Sequence, residues 1–175
     1  MNHDVIARLR IKIRKVRPDA PDKFIAVDTA HQLLTLFDRT GALRTFTIST
    51  SKFGIGNRVD SRQTPPGMHR IVEKIGEGAP AGRIFKDRLD TGIDCLPDAG
   101  GDNVIVSRIM RLEGLEEGIN RGPGIDSYER YIYIHGTNKE SSVGTPLSHG
   151  CIVMKSADVI ELFNGIEEGT IVVID

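Results

Sequence analysis

IHGTNKESSVGTPLSHGCIVM, residues 134–154, is the stretch on which the reading of this chain turns. It opens at the end of an apolar run, Tyr131-Ile132-Tyr133-Ile134, that reads as a compact strand ending at His135-Gly136. It closes in a second short strand, Cys151-Ile152-Val153-Met154. A histidine at a strand end is held by the scaffold rather than by a loop. The approach to Cys151 through Ser148-His149-Gly150 is small and flexible, and such a turn aims successive backbone N–H groups at one point, as an oxyanion hole requires. Gly150 permits a backbone geometry that a residue with a Cβ resists. His135 lies sixteen residues upstream of Cys151, and a loop of that length returns the chain so that thiol and imidazole meet.

The chemistry needs that meeting. A free thiol has a pKa of about 8.5, so little thiolate exists at neutral pH. A neighbouring imidazole takes the proton and later returns it to a leaving amine. A third group orients the imidazole through its other nitrogen; no Asp or Asn is placed for this, and a backbone carbonyl such as that of Gly136 serves as well. Other readings weigh less. Zinc wants three or more protein ligands at recognisable spacing, and His135, His149 and Cys151 lack a second cysteine pair. An inert buried cysteine is a common fate for a bare Cys, but Ser-His-Gly-Cys with a strand-end histidine upstream is not bare. The His149 side chain has two readings, lining the site or building the turn. Cys95, in Gly92-Ile93-Asp94-Cys95-Leu96-Pro97, has no partner pattern and reads as structural.

Composition bounds the rest. The 175 residues suffice for one domain with a real core. Hydrophobic residues at 39% and charged residues at 27% are ordinary for a soluble globular chain. The net charge of −1 argues against a dedicated nucleic-acid binder. Two cysteines are too few for a disulfide framework. No run is apolar enough for a membrane span, and charges interrupt MNHDVIARLRIKIRKV (1–16), so no signal-peptide h-region is visible. Taken literally, the chain is soluble and cytoplasmic.

Residues 1–21 read as a basic N-terminal strand or arm: Leu9, Ile11 and Ile13 alternate with Arg8, Arg10, Lys12 and Arg14, a period of two. Its basic face reads as a charge-protected edge, ahead of contact with an anionic polymer. The remaining elements are strands from Phe24 and from Gln32 to Phe37, a turn at Asp38–Gly41, a return strand Leu43–Ser49, and a loop Gly54–Gly67. Ile71-Val72 resumes a strand, Gly76–Gly82 and Ile93–Asp102 are turn-rich, and Val104–Leu112 is a strand. Glu113–Ser127 is a long polar loop, and such loops are often functional. One helix is expected, with Ser156 as N-cap, Val159, Ile160 and Phe163 on one face and Gly165 as stop; Thr170–Ile174 closes as a strand.

The motifs resemble the L,D-transpeptidase catalytic domain, also called the YkuD domain. The matches are His135-Gly136-Thr137 and Ser148-His149-Gly150-Cys151-Ile152, supported by Thr64-Pro65-Pro66-Gly67 before a strand, Val27-Asp28 with Gln32-Leu33-Leu34, and the closing Gly169–Ile174. The resemblance covers roughly Phe24 to Asp175 and sets a catalytic domain at 22–175. It implies a mainly β, β-sandwich-like fold with mixed sheets and one or two short helices, and no cofactor or metal. It implies peptidoglycan tetrapeptide stems as donor, an amine acceptor, and inhibition by carbapenems. Cys151 is then the nucleophile and His135 its base, with Gly136, His149 and Gly150 completing the catalytic set. The amides of His149, Gly150 and Cys151 are the oxyanion donors. Ser148, Thr137, Tyr133 and Lys155 are assigned to substrate contact. Water as acceptor gives an L,D-carboxypeptidase or amide hydrolase, and loss of catalysis gives a wall-polymer-binding module. Val153 stands where the family usually has Arg or Asn, with Lys155 and Arg130 as candidates to compensate. The family acts on the wall outside the cytoplasm, so this resemblance implies a periplasmic or wall-facing setting that the first residues do not announce.

Overall fold

Alternation along each strand sorts the side chains into three apolar clusters and thereby fixes the architecture. A computed structural model describes residues 3–175. The strands are β1 (Phe24–Asp28), β2 (Leu33–Asp38), β3 (Gly41–Thr47), β4 (Gly67–Ile75), β5 (Arg83–Lys86), β6 (Leu89–Asp94), β7 (Ile105–Gly114), β8 (Tyr133–Thr137), β9 (Ile152–Met154) and β10 (Ile171–Ile174). The helices are α1 (His3–Val16) and α2 (Ser156–Gly165), with a 3-10 turn at Glu140–Ser142. All ten strands form one mixed sheet; β1 pairs β10 in parallel and β8 pairs β9 in parallel. The Ser49 and Val153 amides each bond the other's carbonyl, at 2.9 and 2.8 Å. That bridge joins the segment after β3 to β9 and closes the sheet on itself.

The face turned inward carries Ile25, Val27, Leu34, Met110, Leu112, Ile134, Ile152, Met154, Val172 and Ile174, with Val159, Leu162 and Phe163 of α2 packed into it. The alternate residues face outward in two groups. Phe24, Ala26, Met68, Ile171 and Val173 lie beneath α1. Ile109, Tyr133 and Phe85 form the other group, with Cys151 against them. The chemistry thus sits on the outer face of β7, β8 and β9, backed by the main core.

Residues 3–16 are a helix and not the basic strand expected. Ile6, Leu9 and Ile13 recur at helical spacing and pack beneath the sheet, whereas Ile11, which completes the apparent period of two, is 60% exposed. The cations serve the fold: Lys12 pairs with Glu116 at 2.8 Å, Arg14 with Asp22 at 3.0 Å, and Arg10 lies over the Phe24 ring. Ser156 is not the N-cap of α2. Lys155 holds that position without a side-chain bond, and Glu140 Oε1 accepts the Ser156 amide at 2.8 Å instead. The hairpin β5–β6 falls between the two stretches read as turn-rich, at residues to which the sequence assigned no element, and only its last two residues overlap the second. Among the described residues no helix is long and apolar enough to cross a membrane.

Two histidines are buried in this frame. His69 is held between the Gly67 carbonyl (3.1 Å) and Ser127 Oγ (2.9 Å), and His135 stands on β8. Burial pushes both down to about 4 from an ordinary 6.5. Between those values the unfolded chain binds protons that the folded chain does not, so stability is complete above pH 6.5 and falls as pH drops toward 4. Urea unfolding is expected to lose about 1 kcal/mol or more per histidine for each pH unit in mid-window. His69→Gln is expected to flatten roughly half of that slope between pH 6.5 and 5.

Candidate active site

The parallel register sets the geometry. Ile134 pairs Ile152, His135 pairs Val153 and Gly136 pairs Met154. One position earlier, Cys151 stands opposite Tyr133. Paired residues share a face, so Tyr133, His135, Cys151 and Val153 all point outward, away from Ile134 and Ile152 in the core. Strand spacing and rise put the His135 and Cys151 Cα atoms roughly 8 Å apart on the diagonal. Both cysteines are free, so no bridge to Cys95 competes for the thiol, and Cys151 is half-buried rather than sealed.

His135 is buried, and its Nδ1 lies 2.8 Å from the Gly136 carbonyl oxygen, the acceptor anticipated from the sequence. With Nδ1–H donating there, the Nε2 lone pair is free; this tautomer follows from the hydrogen bond. Gly136 has no room for a side chain, since a Cβ would stand 2.5 Å from the Val106 carbonyl oxygen. The Cys151 thiol donates to the Tyr131 carbonyl at 3.5 Å, and among the described residues no hydrogen bond joins it to His135. Burial pushes the thiol up to about 11, against the opposing pull of the Tyr133 amide and the Arg130 charge. With the imidazole at about 4, both partners are neutral near pH 7.

The turn before Cys151 is clamped from both sides. Ser148 Oγ donates to the Cys151 carbonyl at 2.5 Å and accepts the Gly150 amide at 3.2 Å. Gly150 adopts φ +130°, and a Cβ there would press on Ile132 at 3.2 Å. The Gly150 amide, expected as an oxyanion donor, is therefore already given to Ser148, while those of His149 and Cys151 flank it. The Leu147 and Ser148 amides both reach the Thr50 carbonyl at 3.0 Å, and Gln32 Oε1 holds the Thr50 amide at 2.7 Å. Gln32 thus supports the turn through Thr50.

The other expected residues are distributed as follows. His149 is exposed and its ring leans on Phe53, centroids 5.6 Å apart, with its pKa lowered by desolvation and by the Lys52 and Arg62 charges. Tyr133 is buried, its hydroxyl accepting from Arg88 at 3.0 Å. Thr137 is buried two residues past His135 and bonds Asn103 Oδ1 at 2.6 Å. Lys155 is exposed at the start of α2, at the end of β9 away from Cys151. Val153 is buried. Arg130 is tied to the Gln63 carbonyl at 2.6 Å, and its charge acts on the thiol. Arg88, Arg111 and the Tyr131 carbonyl went unread in the sequence; no local motif marks them, because they arrive from a hairpin tip, another strand and a loop. Among the described residues no cluster of three or more His, Cys, Asp or Glu side chains is placed to hold a metal.

Comparison with known proteins follows the same line. The family model for the L,D-transpeptidase catalytic domain, YkuD, matches residues 22–174. A relative from Escherichia coli (strain K12), named "Probable L,D-transpeptidase YcfS", is 25% identical over 166 residues, covering 93% of this chain and 47% of its own. Among solved structures, the L,D-transpeptidase from Mycobacterium smegmatis aligns with a TM-score of 0.55 at 14% identity, over 88% of this chain and 58% of that one. L,D-transpeptidase 3 from Mycobacterium tuberculosis, in complex with a faropenem-derived adduct, aligns with a TM-score of 0.55 at 15% identity, over 89% and 60%. At those identities the structural likeness is one of fold. The chain spans about half or less of the length of the curated relatives it matches.

A thiol at about 11 alkylates slowly at neutral pH. The iodoacetamide rate at Cys151 is expected to rise about tenfold per pH unit from 7 to 10. Arg130→Gln removes a charge that favours the thiolate and is expected to slow alkylation across that range, read by intact mass against time.

Proposed function

The chain belongs to the L,D-transpeptidase catalytic-domain family, and from that membership we propose that it is a cysteine acyltransferase acting on peptidoglycan stem peptides. The observation that carries this reading is the placement of His135 and Cys151 on one face of neighbouring parallel strands, with the imidazole Nδ1 committed to the Gly136 carbonyl. Nε2 is then the atom that receives the thiol proton.

In this reading, Cys151 Sγ attacks the carbonyl carbon of the amide between an L-centre and a terminal D-Ala. Its proton passes to His135 Nε2 as the S–C bond forms, because neither a thiolate nor an imidazolium is populated beforehand at neutral pH. The thiol turns from the Tyr131 carbonyl to do so. Negative charge builds on the carbonyl oxygen, where the His149 and Cys151 amides are the donors, joined by Gly150 once its 3.2 Å bond to Ser148 gives way. Collapse breaks the C–N bond, His135 returns the proton to the departing D-Ala amine, and a thioester remains. An amine acceptor attacks the thioester, gives its proton to His135, and the sulfur leaves and is reprotonated. Water in place of the amine yields the carboxypeptidase product. This reading assigns His149, exposed and leaning on Phe53, to the approach to the sulfur. β-Lactams of the penem and carbapenem classes would acylate the same sulfur; the solved relative holding a faropenem-derived adduct supports this.

Incubation with a tetrapeptide muropeptide and an amine acceptor is expected to release D-Ala and form a cross-linked dimer by mass spectrometry. Cys151→Ala is expected to abolish both, and His135→Gln to lower the acylation rate by about 100-fold or more. Carbapenem treatment is expected to add one drug mass at Cys151. Absence of turnover and of any adduct in folded wild-type protein points instead to a wall-binding module; tripeptide without dimer points to hydrolysis.

A further inference from the structure

The row on the outer face of the sheet that ends at Cys151 also carries an arginine that the acyl-transfer steps do not use, Arg111. Glu73 pairs Arg111 across β4 and β7, and Arg111 pairs Tyr133 across β7 and β8. Cys151 stands next in that row on the chain leading into β9. Arg111 is 8% exposed, and its Nε is buried without a hydrogen-bond partner. Its guanidinium lies 3.5 Å from the Tyr128 ring centroid and 5.3 Å from that of Tyr131. Its one acidic neighbour, Glu73, is at 3.8 Å.

A second guanidinium comes from the tip of β5–β6. Lys86 pairs Leu89, leaving Asp87 and Arg88 as a two-residue turn with φ of +51° and +70°. Such a turn favours Asn-Gly, and an arginine held in the left-handed region costs conformational energy that surrounding contacts must offset. Arg88 lies over the Tyr131 ring at 5.2 Å and donates to the Tyr133 hydroxyl at 3.0 Å. Among the described residues it forms no ion pair. Two cations therefore share one exposed tyrosine ring, with a single carboxylate at the margin of contact. Like charges gathered in this way repel unless an anion joins them.

We propose that Arg88, backed by Arg111 and framed by Tyr131 and Tyr133, is a carboxylate subsite that holds the terminal carboxylate of the peptide donor. This rests on the acyl-transfer reading above. A terminal carboxylate follows the scissile carbonyl by one residue, about 4 Å of chain. A cation for it must stand about one side chain from the sulfur, and Arg88 reaches the hydroxyl of the residue opposite Cys151. The planar guanidinium fork suits a carboxylate. The subsite selects the donor: a carboxylate end is gripped, and a neutral end leaves the cations unpaired.

The test uses the whole chain and two tetrapeptide donors, one ending in a free carboxylate and one in a carboxamide, in single-turnover acylation without acceptor. Wild type is expected to prefer the carboxylate. Arg88→Gln is expected to lose about 10- to 100-fold in the second-order acylation rate constant on the carboxylate donor and less than about threefold on the carboxamide. Arg88→Lys is expected to restore part of the loss. Arg88 sits on a surface turn, so circular dichroism is expected to match wild type; Arg111→Gln serves as the second variant if it folds. Equal losses on both donors, or none, overturn the subsite. A loss confined to the transfer step with acceptor present assigns the charge to the acceptor and overturns the donor assignment. Wild type inert toward both donors and toward a carbapenem overturns the acyl-transfer reading and the subsite with it.

Discussion

Everything chemical in this molecule depends on the parallel pairing of β8 with β9. Parallel neighbours cannot be joined by a tight turn; they need a crossover of a dozen residues or more. Residues 138–151 are that crossover, carrying a 3-10 turn and the clamped Ser148–Cys151 corner. The sixteen-residue spacing between histidine and cysteine is therefore the length of chain that lets two adjacent strands run the same way and present both side chains on one face. The core beneath, with Ile134, Ile152 and Met154 fully buried, makes a register slip costly, because a shift by one residue would turn every one of these side chains over.

That rigidity has an electrostatic price. The imidazole is desolvated and so is the sulfur, and each is displaced toward its neutral form. A resting ion pair is thereby disfavoured, and reactivity is reserved for the moment at which a carbonyl accepts the sulfur's electrons. Arg130, threaded between the loop after Gly54 and the thiol, supplies the main charge in the opposite direction.

How much of this was readable in advance depends on whether the signal was local. The two motif halves are contiguous, and they announced the thiol, the imidazole, the glycine turn and even the Gly136 carbonyl. The central strands are short continuous apolar runs, buried on both faces, and were legible too. α1 was misread because Leu9 and Ile13 fit both periods, Ile11 completing the period of two and Ile6 the helical one, and only the packing surface of the sheet decides between them. β5 and β6 are short, and β6 is exposed along its length, so no hydrophobic period marks it. Ser156 looked like a cap because the residue type fits, but the group that meets its amide comes from Glu140, sixteen residues earlier. Arg88 and Arg111 gain meaning only from a hairpin tip and a cross-strand neighbour that no linear pattern encodes.

β10 lies between β1 and β4 in the middle of the sheet, so Phe24 pairs Phe37 on one side and Ile171, far along the chain, on the other. Without residues 171–174 the sheet is open between β1 and β4, and the inner cluster that backs β8 and β9 lacks Val172 and Ile174. The acidity of Cys151 is thus tied to closure of the sheet: burial lowers it in the folded chain, and unfolding returns the thiol toward about 8.5. Unfolding and alkylation are therefore coupled, the unfolded thiol being the more readily ionised of the two.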